Sequence, residues 1–171
     1  TWTRGLAWVT LGYPELLEFL DTLRDDELEA SGGRAAVTDM LLRAARASCD
    51  FFIANTAADG VPYWDTGAPG LALLPGWRDR PSDPFNHHEP VDSSAAAIAA
   101  QGLLRLGRWL TARGDGDGQR YTSAGLTTLR TLLSDPYLAT GDDHQGLLLH
   151  SVYHRPRGWD HAPDPDGVPR G

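Results

Sequence analysis

Lysine is absent from this 171-residue chain, and all fifteen basic side chains are arginine. Schiff-base lysine chemistry is therefore excluded. With Ala, Gly and Asp abundant, the bias is explained more simply by GC-rich coding than by selection of guanidinium over ammonium. One cysteine, Cys49, leaves no disulfide framework and no cysteine-based metal site, and it permits a reducing compartment. Basic charge is scarce as well. A net charge of −8 argues against an unaided grip on nucleic acid or on an anionic membrane, whose own charge Lys and Arg must neutralise. No apolar run approaches the roughly 20 residues that a membrane-spanning helix requires. The opening Thr-Trp-Thr-Arg has neither an initiator Met nor the character of a signal peptide. The expectations are a cytoplasmic location and a sequence cut from a longer one. Glycine-rich phosphate loops, a Gly-x-Ser-x-Gly nucleophile elbow and strand-rich segments are also missing.

What is present is helical periodicity. Hydrophobic residues make up 41% of the chain, enough for one globular domain. Over residues 3–23, Leu6, Val9, Tyr13, Leu16, Leu17 and Leu20 recur at three- and four-residue steps and build one apolar face, with Pro14 expected to kink or divide the helix. Ser31-Gly32-Gly33 marks a loop. A second helix is expected over residues 35–54, with Val37, Met40, Leu41, Ala44, Ala47, Phe51 and Phe52 facing inward. A third opens at Asp92-Ser93-Ser94, where a short side-chain oxygen can cap the free N–H groups of the first turn. Its stripe of Ala96, Ala99, Ala100, Leu103, Leu106 and Leu110 would let a neighbour approach closely. A fourth covers residues 119–133. Between the pairs, residues 60–91 hold no period and are rich in Gly, Pro, Trp and Asp, the mark of a long functional or mobile loop, and residues 71–89 have the look of an insertion. Beyond Arg155 the composition predicts an extended tail over residues 155–171. Two stacked hairpins cannot bury every helix face, so further packing partners, or self-association, are expected.

Three groups of residues could carry chemistry. In Trp2-Thr3-Arg4-Gly5-Leu6-Ala7-Trp8, Trp2 could stack on a sugar ring, Arg4 could pair with a carboxylate through two parallel hydrogen bonds, and Trp8, one turn on, could floor the same pocket. Alternatively the indoles are core and Arg4 is a surface charge. Asp65, after Tyr63-Trp64, and Asp92 could form a general acid and base pair, whereas Asp92 could equally be a plain helix cap. His150 and His154 have the spacing of a zinc pair only if their segment is helical. The Leu147-Leu148-Leu149 run before them, the Arg155-Pro156 after them and the lack of an acidic third ligand speak against metal. His87-His88 has no ligand-spaced partner and is expected at the surface.

Five segments in order now carry a resemblance: Trp2 to Trp8, Asp59-Gly60-Val61-Pro62-Tyr63-Trp64-Asp65, Asp92-Ser93-Ser94-Ala95-Ala96-Ala97-Ile98-Ala99-Ala100, Ser134-Asp135-Pro136-Tyr137-Leu138, and Leu148-Leu149-His150-Ser151-Val152-Tyr153-His154-Arg155-Pro156. Together they resemble the C-terminal half of the unsaturated glucuronyl hydrolases, glycoside hydrolase family 88. The likeness covers nearly the whole chain except residues 24–29 and 71–89. It implies an all-α fold that is part of an (α/α)6 toroid, about two to three helical hairpins and long loops in a single partial domain. It also implies a substrate bearing a 4,5-unsaturated uronic acid, released by hydration of its vinyl ether without metal or organic cofactor. Trp2, Arg4, Trp8, Trp64 and Asp92 would line the substrate subsite, and His150 and His154 would sit on a loop closing over it. The family's catalytic aspartates belong to the other half, so this chain is expected to hold no catalytic residue and to be inactive alone. The unsaturated rhamnogalacturonyl hydrolases, which share fold and chemistry, and a non-enzymatic helical interaction module are the alternatives.

Overall fold

The computed structural model describes residues 1–141 and 146–153; His154 and the tail expected over residues 155–171 lie outside the described residues. Four α-helices form two hairpins: α1 (Thr3–Leu20) with α2 (Arg34–Ala54), and α3 (Ser93–Thr111) with α4 (Gly118–Leu132). Among the described residues the remaining regular structure is a set of short 3₁₀ turns and three isolated antiparallel bridges, which pair Trp2 with Asp65, Tyr63 with Val91 and Leu138 with Leu148.

The helix limits follow from local chemistry. Asp92 caps α3, its Oδ1 accepting from Ser94 N at 3.1 Å and Ala95 N at 3.2 Å, which satisfies two of the donors that a helix start leaves free. Between α1 and α2, Arg34 donates to the Leu20 and Leu23 carbonyls at 2.7 and 2.5 Å, closing the acceptors that α1 leaves open at its end.

Of the two outcomes expected of Pro14, a kink or a division, division does not occur: the helix runs unbroken from Thr3 to Leu20 with Pro14 buried. Proline has no N–H, so the Thr10 carbonyl one turn earlier loses its usual partner. That carbonyl lies against Gly102 of α3: a Cβ built on Gly102 would stand 2.2 Å from Thr10 O. Only a glycine allows this approach, which brings the α3 backbone within reach of a weak Cα–H···O contact.

α3 is the spine, with α1 along one side and α4 along the other, while α2 leans on α1. α1 and α3 run in the same direction. Arg4 meets Ser94 near their N-termini, whereas Glu18 binds Arg105 and Arg108, and Asp21 binds Trp109 and Arg113, near their C-termini. The core between the helices is built from Ala7, Leu17, Phe52, Ala99, Leu103, Leu106 and Leu110, each essentially withdrawn from water. Burying a leucine contributes about 1.5–3 kcal/mol.

The segment between the hairpins is packed and has a core of its own. Val61, Tyr63, Leu71, Leu74, Trp77 and Val91 bury together with Leu132 and Tyr137. Tyr63 meets Trp77 edge to face, with centroids 5.4 Å apart. Lacking helical hydrogen bonds, this segment is held by side chains that bond backbone. Asp59 Oδ1 accepts from Val61 N, and Oδ2 accepts from Ser82 N and Ser82 Oγ.

Candidate functional site

The shared direction of α1 and α3 puts both N-termini at one end of the molecule, where partial positive charge favours an anion. Two loops converge there. Thr3 N donates to Trp64 O at 2.9 Å and Thr3 Oγ1 to Tyr63 O at 2.7 Å, fastening residues 63–64 to the start of α1. Ser93 N donates to His150 O at 3.1 Å, fastening residues 146–153 to the start of α3.

Arg4 joins these pieces. Its Nη2 donates to the Tyr153 carbonyl at 2.7 Å, its Nη1 lies 3.4 Å from Ser94 Oγ, and its Cζ stands 5.2 Å from the Trp2 ring centroid, within cation–π range. Trp2 is 49% exposed and its ring lies over Gly5, whose Cβ, if present, would come within 3.0 Å of it. Trp8, further along α1, is 56% exposed. The two indoles of the opening motif are thus at the surface, not in the core.

Asp92 is fully buried, and it reaches Arg4 only through an intermediary: Oδ1 accepts from Ser94 Oγ at 2.6 Å, and Ser94 Oγ faces Arg4. Its place is at the foundation of the site, with no surface of its own for a ligand in this conformation. Among the described residues, its Oδ2 and the neighbouring Ser93 Oγ are both buried without a hydrogen-bond partner. Of the two aspartates weighed as an acid and base pair, Asp65 Oδ1 accepts from Gly67 N at 2.8 Å within its own turn, and Asp92 caps α3. Trp64 is half-buried, and its Nε1 donates to Glu89 Oε2 at 2.7 Å.

His150 is buried at a backbone φ of 62°, with Phe85 and Tyr137 edge-on to its imidazole at centroid distances of 5.2 and 5.8 Å. It anchors the segment that carries Tyr153. Burial pushes the Tyr137 hydroxyl well above its ordinary value, and its hydrogen bond with Ser82 offsets this in part, so Tyr137 is a neutral wall beside the imidazole. No group of three or more His, Cys, Asp or Glu among the described residues could hold a metal ion. No helix among them is long and apolar enough to cross a membrane.

The site as built is a guanidinium held over an indole, at the meeting point of two helix N-termini, with the Trp64 backbone paired to the start of α1. Such a set suits a sugar that carries a carboxylate. No protein-family model matches the chain. An unsaturated glucuronyl hydrolase of Formosa agariphila is 26% identical over 160 residues, 92% of this chain and 31% of that protein. The crystal structure of the unsaturated glucuronyl hydrolase of Bacillus sp. GL1, described as responsible for the degradation of glycosaminoglycan, superposes with a TM-score of 0.63 at 29% identity, over 99% of this chain and 34% of that one. The chain resembles the unsaturated glucuronyl hydrolases. The enzyme from Streptococcus agalactiae shares the fold, with a TM-score of 0.67 at 23% identity, over 100% of this chain and 33% of its own. The two hairpins match part of the α/α toroid fold of these hydrolases, and this chain spans about a third of the length of the relatives it matches.

Sequence reading missed Ser94, Tyr153 and Glu89. Ser94 was visible only as a candidate cap. Tyr153 contributes a backbone carbonyl, which no residue type announces. Glu89 is a lone acid in a stretch without period. His154, expected beside His150, lies outside the described residues.

Proposed function

We propose that this chain forms the uronate-binding wall of a glycoside hydrolase of the unsaturated glucuronyl hydrolase type. The observation that carries the reading is Arg4, held over Trp2 by Ser94 and the Tyr153 carbonyl. Those bonds leave N–H groups on the guanidinium for the carboxylate of a 4,5-unsaturated uronic acid, in the paired geometry that arginine offers. Trp2 and Trp8 present exposed indole faces on which a pyranose ring stacks, and Trp64 adds a half-buried one.

On this reading the overall reaction is hydration of a vinyl ether. A carboxylic acid protonates C4 of the unsaturated sugar, water adds at C5, and the hemiketal so formed collapses to release the neighbouring sugar. The acid is supplied by chain beyond these residues. The residues in hand bind and orient the uronate, and on their own they bind without turnover.

The test is calorimetric titration of the chain with a 4,5-unsaturated uronyl disaccharide. Arg4→Ala should weaken binding by at least ~10-fold, the loss of a charge-assisted pair. Affinity for the disaccharide that is indifferent to Arg4→Ala, or no affinity in the parent chain, would remove the basis of the proposal.

A further inference from the structure

Glu89 is a buried acid that the proposed chemistry does not use. It is 7% exposed and, among the described residues, forms no ion pair. Both of its oxygens are taken by N–H donors: Oε2 by the Trp64 indole at 2.7 Å and Oε1 by Gly70 N at 2.8 Å. A carboxylate withdrawn from water without a cation is costly unless such donors compensate it. Its surroundings are shaped to hold it. Asn86, also buried, accepts from Glu89 N at 2.9 Å and donates to Glu89 O at 2.7 Å, clamping the residue's backbone from both sides. Gly70 is the one residue type that fits, since a Cβ there would lie 2.8 Å from Glu89 Cγ.

The recipient of this arrangement stands next to the site. Trp64 N donates to Pro90 O at 3.0 Å, and Trp64 O accepts from Thr3 N at the start of α1, one residue from both Trp2 and Arg4. The Trp64 backbone is thus fixed by pairing and its ring packs against the second core, which leaves the polar edge of the indole, its N–H, still to be engaged. Glu89 is what engages it. We infer that Glu89 is a positioning residue that sets the orientation of the Trp64 indole toward the bound sugar, linking residues 71–89 to the uronate site. This rests on the reading of the site given above.

The experiment is a double-mutant cycle on the full chain, using Glu89→Gln, Trp64→Phe and both together, with a 4,5-unsaturated uronyl disaccharide as the probe. Glutamine keeps the shape of Glu89 but has a single acceptor oxygen for two donors. Glu89→Gln should weaken binding ~5–10-fold, the net scale of one ordinary hydrogen bond, and should move the Trp64 indole N–H proton resonance upfield in the ligand-free chain. In the Trp64→Phe background, which has no indole N–H, the same change should cost less than about twofold, because coupled residues do not add. An equal loss in both backgrounds would show that Glu89 acts through the fold and not through Trp64. Unchanged affinity, an unmoved indole resonance, or a Glu89→Gln chain that no longer melts cooperatively would each overturn the inference. Arg4→Ala in parallel separates the two ideas. If it abolishes binding while Glu89→Gln does nothing, the uronate site stands and only the role of Glu89 falls; if Arg4→Ala does nothing, the site itself falls.

Discussion

The helical hairpins and the segment between them are two solutions to the same problem. The hairpins satisfy their backbone internally and bury aliphatic stripes between α1, α3 and α4. The intervening segment has almost no backbone ladder. It buries aromatic and aliphatic side chains around Tyr63, Trp77 and Tyr137, and it recruits Asp59, Asn86 and Glu89 to bond the backbone that has no partner. A long stretch without period can thus be as well packed as a helix bundle, provided polar side chains take over the work of the missing ladder.

The largest test of this contrast is cavity formation in each core. Leu103→Ala and Trp77→Ala should both destabilise, by about 2–5 and 3–5 kcal/mol respectively. The first should lower the protection of all four helices against amide exchange. The second should strip protection mainly from residues 61–91, because that core touches the bundle through few side chains. Uniform loss in both variants would merge the two regions into one cooperative unit. Next comes Asp59→Ala, which orphans Val61 N and Ser82 N and should cost about 1–3 kcal/mol. Helix N–H groups are satisfied along the helix itself, so a control at an exposed polar residue such as Ser123→Ala on α4 should change stability by less than about 0.5 kcal/mol.

A smaller effect is expected with pH. Burial, with Asp50 beside it, pushes the Cys49 thiol up from its ordinary 9.0 to about 12. Its unfolded form therefore ionises while the folded form stays neutral. The stabilisation it contributes is complete below pH 9 and declines as pH rises toward 12. Cys49→Ala should flatten that part of a stability-against-pH curve, and the intact thiol should react with an alkylating reagent only as fast as the bundle opens. A parent chain alkylated rapidly under native conditions would contradict this. The smallest effect belongs to the solvated surface. Breaking the exposed Arg43 to Asp39 pair by Arg43→Ala should cost at most about 0.5 kcal/mol in a thermal melt.

Legibility divided along the same line. Period and caps placed α2 and α4 to within about a residue at each end, and the start of α3 likewise, because amphipathic spacing and the Asp92 cap are local signals. Pro14 gave no local sign that α1 would continue through it, and the contact of Gly102 with the Thr10 carbonyl that it frees lies on another helix. Most of the second core lies in residues 60–91, legible only as a long irregular loop with an insertion over 71–89, because its residues meet only after the chain folds back on itself. At the site, the exposed indoles and Arg4 could be singled out from residue type. The chain of contacts from Asp92 through Ser94 to Arg4 could not, for it links residues 90 positions apart through a hydroxyl that sequence assigns to capping.

The close seat of Gly102 on Thr10 O has a consequence for the binding end of the molecule. Two parallel helices lined with alanine and leucine can slide past one another by a residue at little loss of apolar contact. A notch that admits one glycine and no other side chain forbids the shift, like a key that turns at a single depth. Arg4 lies six residues before the notch on α1 and Ser94 eight before it on α3, so the fit at mid-helix fixes how high each stands at the rim. The reach between guanidinium and hydroxyl is therefore set two turns away, by a side chain that is not there.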